Sequence, residues 1–308
     1  MSARSGEKRM YDLIVLGGGP AGLTAAIYGL RKRLEVLLIT RDLGGKTNYR
    51  LQLPFVDHHL VISGEEVVSR FAQEIEYLEF ARTFDKAERV ERIGGGYRVE
   101  TRSGAKHEAR ALIVASGARG RLLDVPGEKE YMMRGLCYSA ISYAPLFVER
   151  QTAVIGDRAL ALRAAAELAR IASQVTLVAP THGDLDTAMG RHVLAAGNVR
   201  VMEGYRVERV QGDDYARSIV LVRGDEKREL AADAFFVELD LVPQSDLVAE
   251  LVERDERGRI KVDCGNRTSA AGIFAAGDVT NVFAEQVLIA IGEGAKAALA
   301  AYEYLLTR

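Results

Sequence analysis

Three glycines near the start of the chain, Gly17, Gly19 and Gly22, have the spacing of a phosphate-binding turn. They follow the apolar run 11–16 and open an Ala-rich apolar segment that ends in the basic cluster 31–33. In such a turn the first glycine bends the chain, the second lets a pyrophosphate approach the backbone, and the third lets helix and strand pack. The helix N-terminus that follows favours an anion. We therefore predict a dinucleotide site here rather than only a flexible turn.

The residue that would select the dinucleotide is not of the usual type. An acidic residue at the end of the second strand normally binds the ribose. Thr40 stands at this place, and Asp42 follows two residues later. The glycine turn alone therefore leaves the choice of dinucleotide open.

A second turn, at 156–161, repeats the layout with different chemistry. Gly156 keeps the first position and Ala161 the third, but Asp157 and Arg158 lie between them. Arg158 would fill the space of a phosphate, and Asp157 would repel it. The strand end 178–181 also offers neither arginines for a 2′-phosphate nor an acid for a ribose. We predict a closed site; the alternative is that Arg158 binds a phosphate in a shifted pose, although Asp157 is its nearer expected partner.

The cysteines and histidines give little sign of a metal or disulfide centre. Cys137 and Cys264 are the two cysteines, and they form neither a C-x-x-C nor a metal-binding spacing. We expect Cys137 to be a buried small apolar residue rather than a redox sulfur. His58 and His59 are adjacent, but without a third ligand we expect no metal there.

The composition favours a two-domain protein with a small ligand. The chain has 308 residues, is 48% hydrophobic and has a formal net charge of −2, which argues against nucleic acid as an obligatory partner. The N-terminal ten residues are polar and basic and are not followed by the apolar h-region of a signal peptide, and no stretch is long and apolar enough to span a membrane. We expect a cytoplasmic location and no membrane association.

The elements around the two turns predict an α/β fold. A strand at 11–16, a helix and a strand at 34–40 form a βαβ unit, and short alternating strands at about 80–109 form an antiparallel meander covering the first sheet. A strand at 152–155, a helix at 158–172 and a strand at 174–178 repeat the unit, with a second meander at about 199–236. A strand at 272–276 and a helix from Val287 to Leu306 complete the chain. We predict two Rossmann-like, doubly wound, three-layer nucleotide-binding domains, with 119–242 inserted between 1–118 and 243–308.

Two further segments make the pattern specific: Ala-Ser-Gly-Ala at 115–118 and Gly-Ile-Phe-Ala-Ala-Gly-Asp-Val at 272–279. With them the chain resembles the low-molecular-weight thioredoxin reductases and, more closely, the flavoprotein subunit of alkyl hydroperoxide reductase. The similarity extends from Tyr11 to Leu306. It implies FAD in the first domain, a degenerate NAD(P)H-type second domain and a homodimer.

The resemblance also implies which residues contact FAD. Asp278 would hydrogen-bond the ribityl chain, which suits a carboxylate acceptor, and Gln286 and Val287 would meet the pyrimidine edge of the flavin. Lys46 replaces a family glutamine; it would lie near the ring and favour the reduced flavin, or else extend its ammonium group into solvent. The implied FAD-contacting residues are Gly17, Gly19, Pro20, Ala21, Gly22, Thr40, Gly44, Gly45, Lys46, Asn48, Ala87, Ser116, Gly117, Gly277, Asp278, Glu285, Gln286 and Val287.

The chain departs from this family at the redox disulfide. Ser139 and Ser142 stand at the places of the two cysteines of the family's C-x-x-C-D segment, and Tyr143 stands at the place of the acid. A serine hydroxyl forms no thiolate and exchanges with no disulfide. The sequence therefore predicts a thioredoxin-reductase-like protein without dithiol chemistry at this segment and with doubtful NAD(P)H binding.

Three hypotheses about function remain open from the sequence. The first is an FAD-dependent oxidoreductase that exchanges electrons with a carrier protein such as ferredoxin or flavodoxin, or with a small substrate. The second is a catalytically silent FAD-binding protein that acts through a partner. The third is an NAD(P)H-linked flavin reductase or oxidase with an altered nucleotide pose. Fold alone does not choose among them.

Overall fold

The structure is a computed structural model that describes residues 10–49, 51–55 and 64–308. The chain divides into two compact units: Met1–Asn48 with Val61–Arg119 and Val242–Arg308, and Tyr49–Leu60 with Gly120–Leu241. The described residues 49 and 51–55 thus group with the second unit, whereas the sequence placed them in the first. Two hydrogen bonds account for this: Gln52 N–H donates to Met133 O (2.7 Å), and the Tyr143 hydroxyl donates to Tyr49 O (3.0 Å).

The strands are, in chain order, β1 (Met10–Leu16), β2 (Val36–Thr40), β3 (Arg82–Phe84), β4 (Ala87–Ile93), β5 (Gly96–Thr101), β6 (Lys106–Val114), β7 (Ala118–Gly120), β8 (Leu136–Cys137), β9 (Gln151–Ile155), β10 (Gln174–Ala179), β11 (Val199–Glu203), β12 (Arg206–Gly212), β13 (Ala216–Arg223), β14 (Glu226–Ala231), β15 (Ala234–Val237), β16 (Leu241–Pro243) and β17 (Ile273–Ala275). The α-helices are α1 (Pro20–Arg31), α2 (Glu65–Tyr77), α3 (Glu128–Tyr131), α4 (Ala140–Tyr143), α5 (Ala159–Leu168), α6 (Ala188–Ala195) and α7 (Val287–Leu306).

The sheet of the first unit has the order β3-β2-β1-β6-β5-β4, and β17 also pairs with β6. β1 pairs in parallel with β2 and with β6, while β5 is antiparallel to β6 and to β4. Parallel strands are buried on both faces and read as continuous apolar runs; accordingly, all five residues of β2 are buried. The long strand β6 belongs both to the parallel sheet and to the antiparallel meander.

The two faces of this sheet are covered differently, which gives three layers. Helices α1, α2 and α7 pack on one face. A side chain at Gly294 of α7 would begin only 2.1 Å from the Ala21 carbonyl oxygen, so this glycine lets α7 lie directly against α1. On the other face, Val90 and Tyr97 of the meander pack with Ile14 and its neighbours. This arrangement confirms the predicted meander over the first sheet.

The sheet of the second unit has the order β11-β10-β9-β15-β8, and its pairs are parallel. The antiparallel strands β12, β13 and β14 supply one side of its core, in a cluster that includes Ile219, Leu221 and Phe235. Helix α5 packs on β9 and β10 and also contacts α6. The predicted α/β class with two Rossmann-like units and a meander in each is therefore confirmed.

Three details of the predicted fold were wrong. The meander expected at 199–236 includes β11 and β15, which are parallel strands of the central sheet, so the antiparallel part is Arg206–Ala231. The Ala-Phe-Phe-Val run of β15 is buried throughout, as in a central parallel strand. The helix expected at 158–172 ends at Leu168, and helices α2 and α6 were not predicted at all.

Candidate functional site

The first glycine turn has two closely packed positions and one open position. A Cβ at Gly17 would lie 2.3 Å from the Ala115 carbonyl oxygen, and one at Gly22 would lie 1.8 Å from the Gly17 carbonyl oxygen. Gly17 also has a φ of +112°, which L side chains rarely adopt. A Cβ at Gly19 would meet no atom of the other described residues within 4 Å, its chain neighbours aside, and the φ of Gly19, −75°, is ordinary. The open space at Gly19 therefore lies where a ligand can approach the backbone.

Two other predicted segments meet at the beginning of α1. A Cβ at Gly45 would lie 3.1 Å from the Gly19 Cα, and one at Gly277 would lie 3.0 Å from the Ala21 Cβ. Gly19 is the N-cap of α1 and makes no side-chain capping hydrogen bond, and Pro20 is at N1. The turns at 17–19, 44–45 and 277–278 therefore surround a helix N-terminus whose partial positive charge favours an anion.

The residues of the turn after β2 mainly hold that turn together. The Thr40 hydroxyl donates to Asp42 O (2.7 Å), and Asp42 Oδ1 accepts the Gly45 N–H (3.0 Å). Asn48 donates through Nδ2 to Leu43 O (2.8 Å). Thr40 and Asn48, predicted as FAD contacts, thus have local structural partners.

Lys46 and Asp278 form an ion pair between Nζ and Oδ2. The Asp278 side chain is 13% exposed and that of Lys46 is 51% exposed. Beneath this pair, Glu293 Oε2 accepts the Gly277 N–H (3.0 Å) and the Thr280 hydroxyl (3.4 Å). Glu293 was not predicted as a site residue, because its role depends on how α7 packs.

The remaining predicted contacts lie around this cluster. The Ser116 hydroxyl donates to Gln244 O (2.6 Å), and Gly117 has open space beside its Cα. Gln286 is the N-cap of α7, directly before Val287. Ala87 is the first residue of β4, and Glu285 directly precedes Gln286.

The second turn shares the backbone geometry of the first. A Cβ at Gly156 would lie 2.4 Å from the Glu238 carbonyl oxygen and 2.8 Å from the Ala161 Cβ. Arg158 is the N-cap of α5, as Gly19 is of α1, and its side chain is 58% exposed. The N-cap position of the helix is therefore an open glycine in the first unit and an arginine in the second.

A carboxylate from the loop after β10 caps α5. Asp184 Oδ2 accepts the Ala159 N–H (3.0 Å), and its Oδ1 lies 3.5 Å from Arg158 Nη1. Asp157 Oδ1 also pairs with Arg158, through Nε (3.9 Å), as the sequence predicted, although Asp184 is nearer. Asp157 additionally accepts two hydrogen bonds from Thr181, through N (2.8 Å) and Oγ1 (2.6 Å). Asp184 was not predicted from the sequence, because only the tertiary course of this loop brings it to α5.

The segment that the sequence predicts to stand at the place of a redox disulfide contains hydroxyl groups. Ser139 Oγ and Ser142 Oγ lie 2.9 Å apart. Cys137 is fully buried, its thiol points at the Ser139 carbonyl oxygen (3.7 Å), and burial raises the pKa of this thiol far above its usual range. Cys264 is exposed.

Next to this segment, Glu128 is almost fully buried and accepts several hydrogen bonds. The Leu123 and Asp124 N–H groups donate to its two oxygens (2.6 and 2.7 Å), and the Tyr138 hydroxyl donates to Oε1. Burial, followed by this hydrogen bond, raises the pKa of Tyr138 well above its usual range. The Val-Pro-Gly-Glu turn at 125–128 is therefore fixed by its own buried acid.

Neither a metal cluster nor a membrane-spanning helix is found in the part of the chain that the structure describes. No group of three or more His, Cys, Asp or Glu side chains there could hold a metal ion. No helix in the same residues is long and apolar enough to cross a bilayer. His58 and His59 lie outside the described residues.

The fold and the two turns define a protein with two Rossmann-like units. The chain belongs to the pyridine nucleotide-disulphide oxidoreductase family, whose model matches residues 11–294. This is a family of FAD-dependent oxidoreductases, and the fold of the chain is of the thioredoxin-reductase-like type.

Two curated relatives are subunits F of alkyl hydroperoxide reductase. The protein from Pseudomonas putida is 36% identical over 310 residues, which cover 97% of this chain and 59% of that protein. The protein from Staphylococcus aureus strain MSSA476 is 32% identical over 307 residues, which cover 97% and 60%. The chain thus spans less than two thirds of the length of these relatives.

Two solved structures share the fold over nearly the whole chain. Thioredoxin reductase from Streptococcus pyogenes superimposes with a TM-score of 0.87 at 29% identity, covering 98% of this chain and 100% of that one. Thioredoxin reductase from Giardia duodenalis gives a TM-score of 0.85 at 26% identity, covering 97% and 99%.

Proposed function

We propose that this chain is an FAD-dependent oxidoreductase whose first unit binds FAD and whose flavin exchanges electrons without a dithiol or a pyridine nucleotide bound to this chain. The observation that carries the FAD site is the open face of Gly19 at the uncapped N-terminus of α1. This cradle suits a pyrophosphate. Asp278 would accept a hydrogen bond from the ribityl chain, and Gln286 and Val287 would contact the flavin. Bound FAD supplies the redox chemistry, since its ring carries one or two electrons.

The hydroxyl groups of Ser139 and Ser142 support the absence of a dithiol relay at this segment. Neither can form the thiolate on which disulfide exchange depends. The neighbouring thiol, Cys137, is buried, and its pKa is raised by that burial. Because the curated relatives are longer than this chain, this part of the proposal is limited to the residues that the chain itself contains.

The cap on α5 supports the absence of pyridine nucleotide. A dinucleotide phosphate would need the amide groups at the start of α5, and Asp184 already accepts the first of them. The Asp184 carboxylate would also repel a phosphate, and the Arg158 side chain begins where Gly19 is open in the first unit. We infer that these residues do not fit NAD(P)H.

Without a dithiol relay or a pyridine nucleotide, we propose that the flavin exchanges electrons directly with a redox carrier protein such as ferredoxin or flavodoxin, or with a small substrate. A homodimer is proposed from the likeness to the family. The second candidate is a silent FAD-binding protein that acts through a partner, and the loss of both routes favours it equally. The third candidate, NAD(P)H use in a shifted pose, rests on the half-exposed Arg158 guanidinium.

The FAD site is tested by Gly19→Ala, with Gly94→Ala as the matched control. Both glycines have open space where the methyl group would stand, and Gly94 lies in the β4–β5 turn. Ala fits the ordinary φ of Gly19, so both variants should fold. We expect Gly19→Ala to raise the FAD dissociation constant at least about tenfold, whereas Gly94→Ala leaves it unchanged. Unchanged FAD affinity in Gly19→Ala would contradict this placement.

The electron route is tested by adding reduced ferredoxin or flavodoxin, and then dithionite, to the anaerobic FAD-loaded protein. Bleaching of the flavin absorbance by a carrier protein supports the oxidoreductase. Bleaching by dithionite alone, with no response to carriers or to small reductants, favours the silent FAD-binding protein.

A further inference from the structure

Lys46 and Asp278 come from turns that are far apart in sequence, and both turns lie against the start of α1. Gly45, the neighbour of Lys46, is positioned against Gly19, and Gly277, the neighbour of Asp278, is positioned against Ala21. The ion pair between Lys46 Nζ and Oδ2 of Asp278 therefore bridges two turns of the proposed FAD site.

A carboxylate at this place has an electrostatic cost. Asp278 is only 13% exposed, so little water stabilises its charge, and a carboxylate next to an anion-binding helix N-terminus repels the pyrophosphate that the helix attracts. The Lys46 ammonium group compensates both effects, because it neutralises Asp278 and adds a cation beside the anion site. The two charges therefore act as a unit.

The two partners differ in how firmly they are held. Glu293 Oε2 binds the Gly277 N–H and the Thr280 hydroxyl, which fixes the turn that carries Asp278. Lys46 is half exposed and reaches Asp278 with a flexible side chain. The position of the negative charge is thus fixed by the fold, and its neutralisation depends on one adjustable side chain.

We propose that Lys46 is the counter-ion of Asp278 in the FAD site, so that the ion pair, rather than Asp278 alone, determines the affinity for FAD and the reduction potential of bound FAD. This inference rests on the proposed FAD binding by the first unit. Without Lys46, an unpaired carboxylate would disfavour the pyrophosphate and, to a greater extent, the more electron-rich reduced flavin.

The test compares Lys46→Gln, Asp278→Asn and the double variant with the wild-type chain. FAD affinity is measured by quenching of flavin fluorescence at low and high salt, and the reduction potential is measured against a redox dye. We expect Lys46→Gln to weaken FAD binding about tenfold, less at high salt. We also expect this variant to bind reduced FAD a further factor of about ten more weakly than oxidised FAD. The reduction potential of bound FAD would then fall by about 30 mV for a two-electron couple. Asp278→Asn should shift the potential upward.

The double variant is decisive, because a charge pair predicts that Lys46→Gln lowers the FAD affinity and the reduction potential much less when it is made in Asp278→Asn than when it is made in the wild-type chain. Lys261→Gln is the matched control, since Lys261 belongs to the same unit and faces Glu253 at 3.9 Å on the surface; we expect no change. Wild-type affinity in Lys46→Gln, or simple additivity of the two substitutions, overturns the ion-pair inference while leaving FAD binding intact. A wild-type chain that takes up no FAD overturns the proposed function and this inference together.

Discussion

Replacing Asp184 with alanine tests whether a carboxylate from the loop after β10 supports α5. Asp184 accepts the Ala159 N–H at 3.0 Å and faces the Arg158 guanidinium at 3.5 Å. Loss of a helix-capping side chain typically costs about 1 kcal/mol, and loss of a negative charge at a helix N-terminus costs about 0.3–1 kcal/mol. We therefore expect Asp184→Ala to lower the free energy of unfolding by about 1–2 kcal/mol and to lower Tm by a few degrees.

The assay is thermal unfolding followed by circular dichroism at neutral pH, with two comparison variants. Asp184→Asn keeps an acceptor but not the charge, so its loss should be smaller. Asp186→Ala lies in the same loop, where Asp186 is 90% exposed and pairs with His182 at 3.0 Å, and removal of such a surface pair should cost little. Equal Tm values for Asp184→Ala and the wild type, or an equal loss in Asp186→Ala, would refute the capping argument.

Three further outcomes follow from buried groups. In the folded chain the thiol of exposed Cys264 should react with Ellman's reagent. The thiol of Cys137 should react only in denaturant, because it is buried and burial raises its pKa. Fast reaction of both thiols would contradict the burial of Cys137. Tyr138→Phe should cost about 1–2 kcal/mol at pH 7 by removing a donor to buried Glu128. Because the pKa of Tyr138 is raised from 10 in the folded state, its contribution to the free energy of unfolding is complete below pH 10 and declines as the pH rises further. The wild type should therefore lose stability more steeply above pH 10 than Tyr138→Phe. Parallel pH profiles of the two proteins would contradict the raised pKa. Glu293→Leu should cost about 1–3 kcal/mol by leaving a partly buried N–H unpaired, and Glu293→Gln should retain most of the stability; equal losses in calorimetry would show that the acceptor is not what matters.

The sequence predicted best what depends on local geometry. The glycine turn at 17–22 was recognisable because a strand precedes it and a helix follows, and the backbone there has no room for side chains at Gly17 or Gly22. The final helix was predicted at its observed bounds, Val287–Leu306, because its apolar helical pattern is long and continuous in the sequence.

Nonlocal contacts could not be predicted in this way. The sequence indicates which segments are extended but not which strands they pair with, so β11 and β15 were assigned to a meander, whereas β11 pairs in parallel with β10 and β15 with β9. Likewise Asp184 lies 25 residues from Ala159, and Glu293 lies 16 residues from Gly277. The sequence showed that Asp157 and Arg158 alter the second turn, but the side chain that caps its helix comes from another loop.

The central claim, a flavin that receives no electrons from pyridine nucleotide through this chain, is tested most directly by one titration. NADPH and NADH are added in turn to the anaerobic FAD-loaded chain while the flavin absorbance is followed, with dithionite as the final addition. We expect the absorbance to remain unchanged by both nucleotides and to bleach with dithionite. Rapid bleaching by NADPH or NADH would contradict the roles given to Arg158 and Asp184.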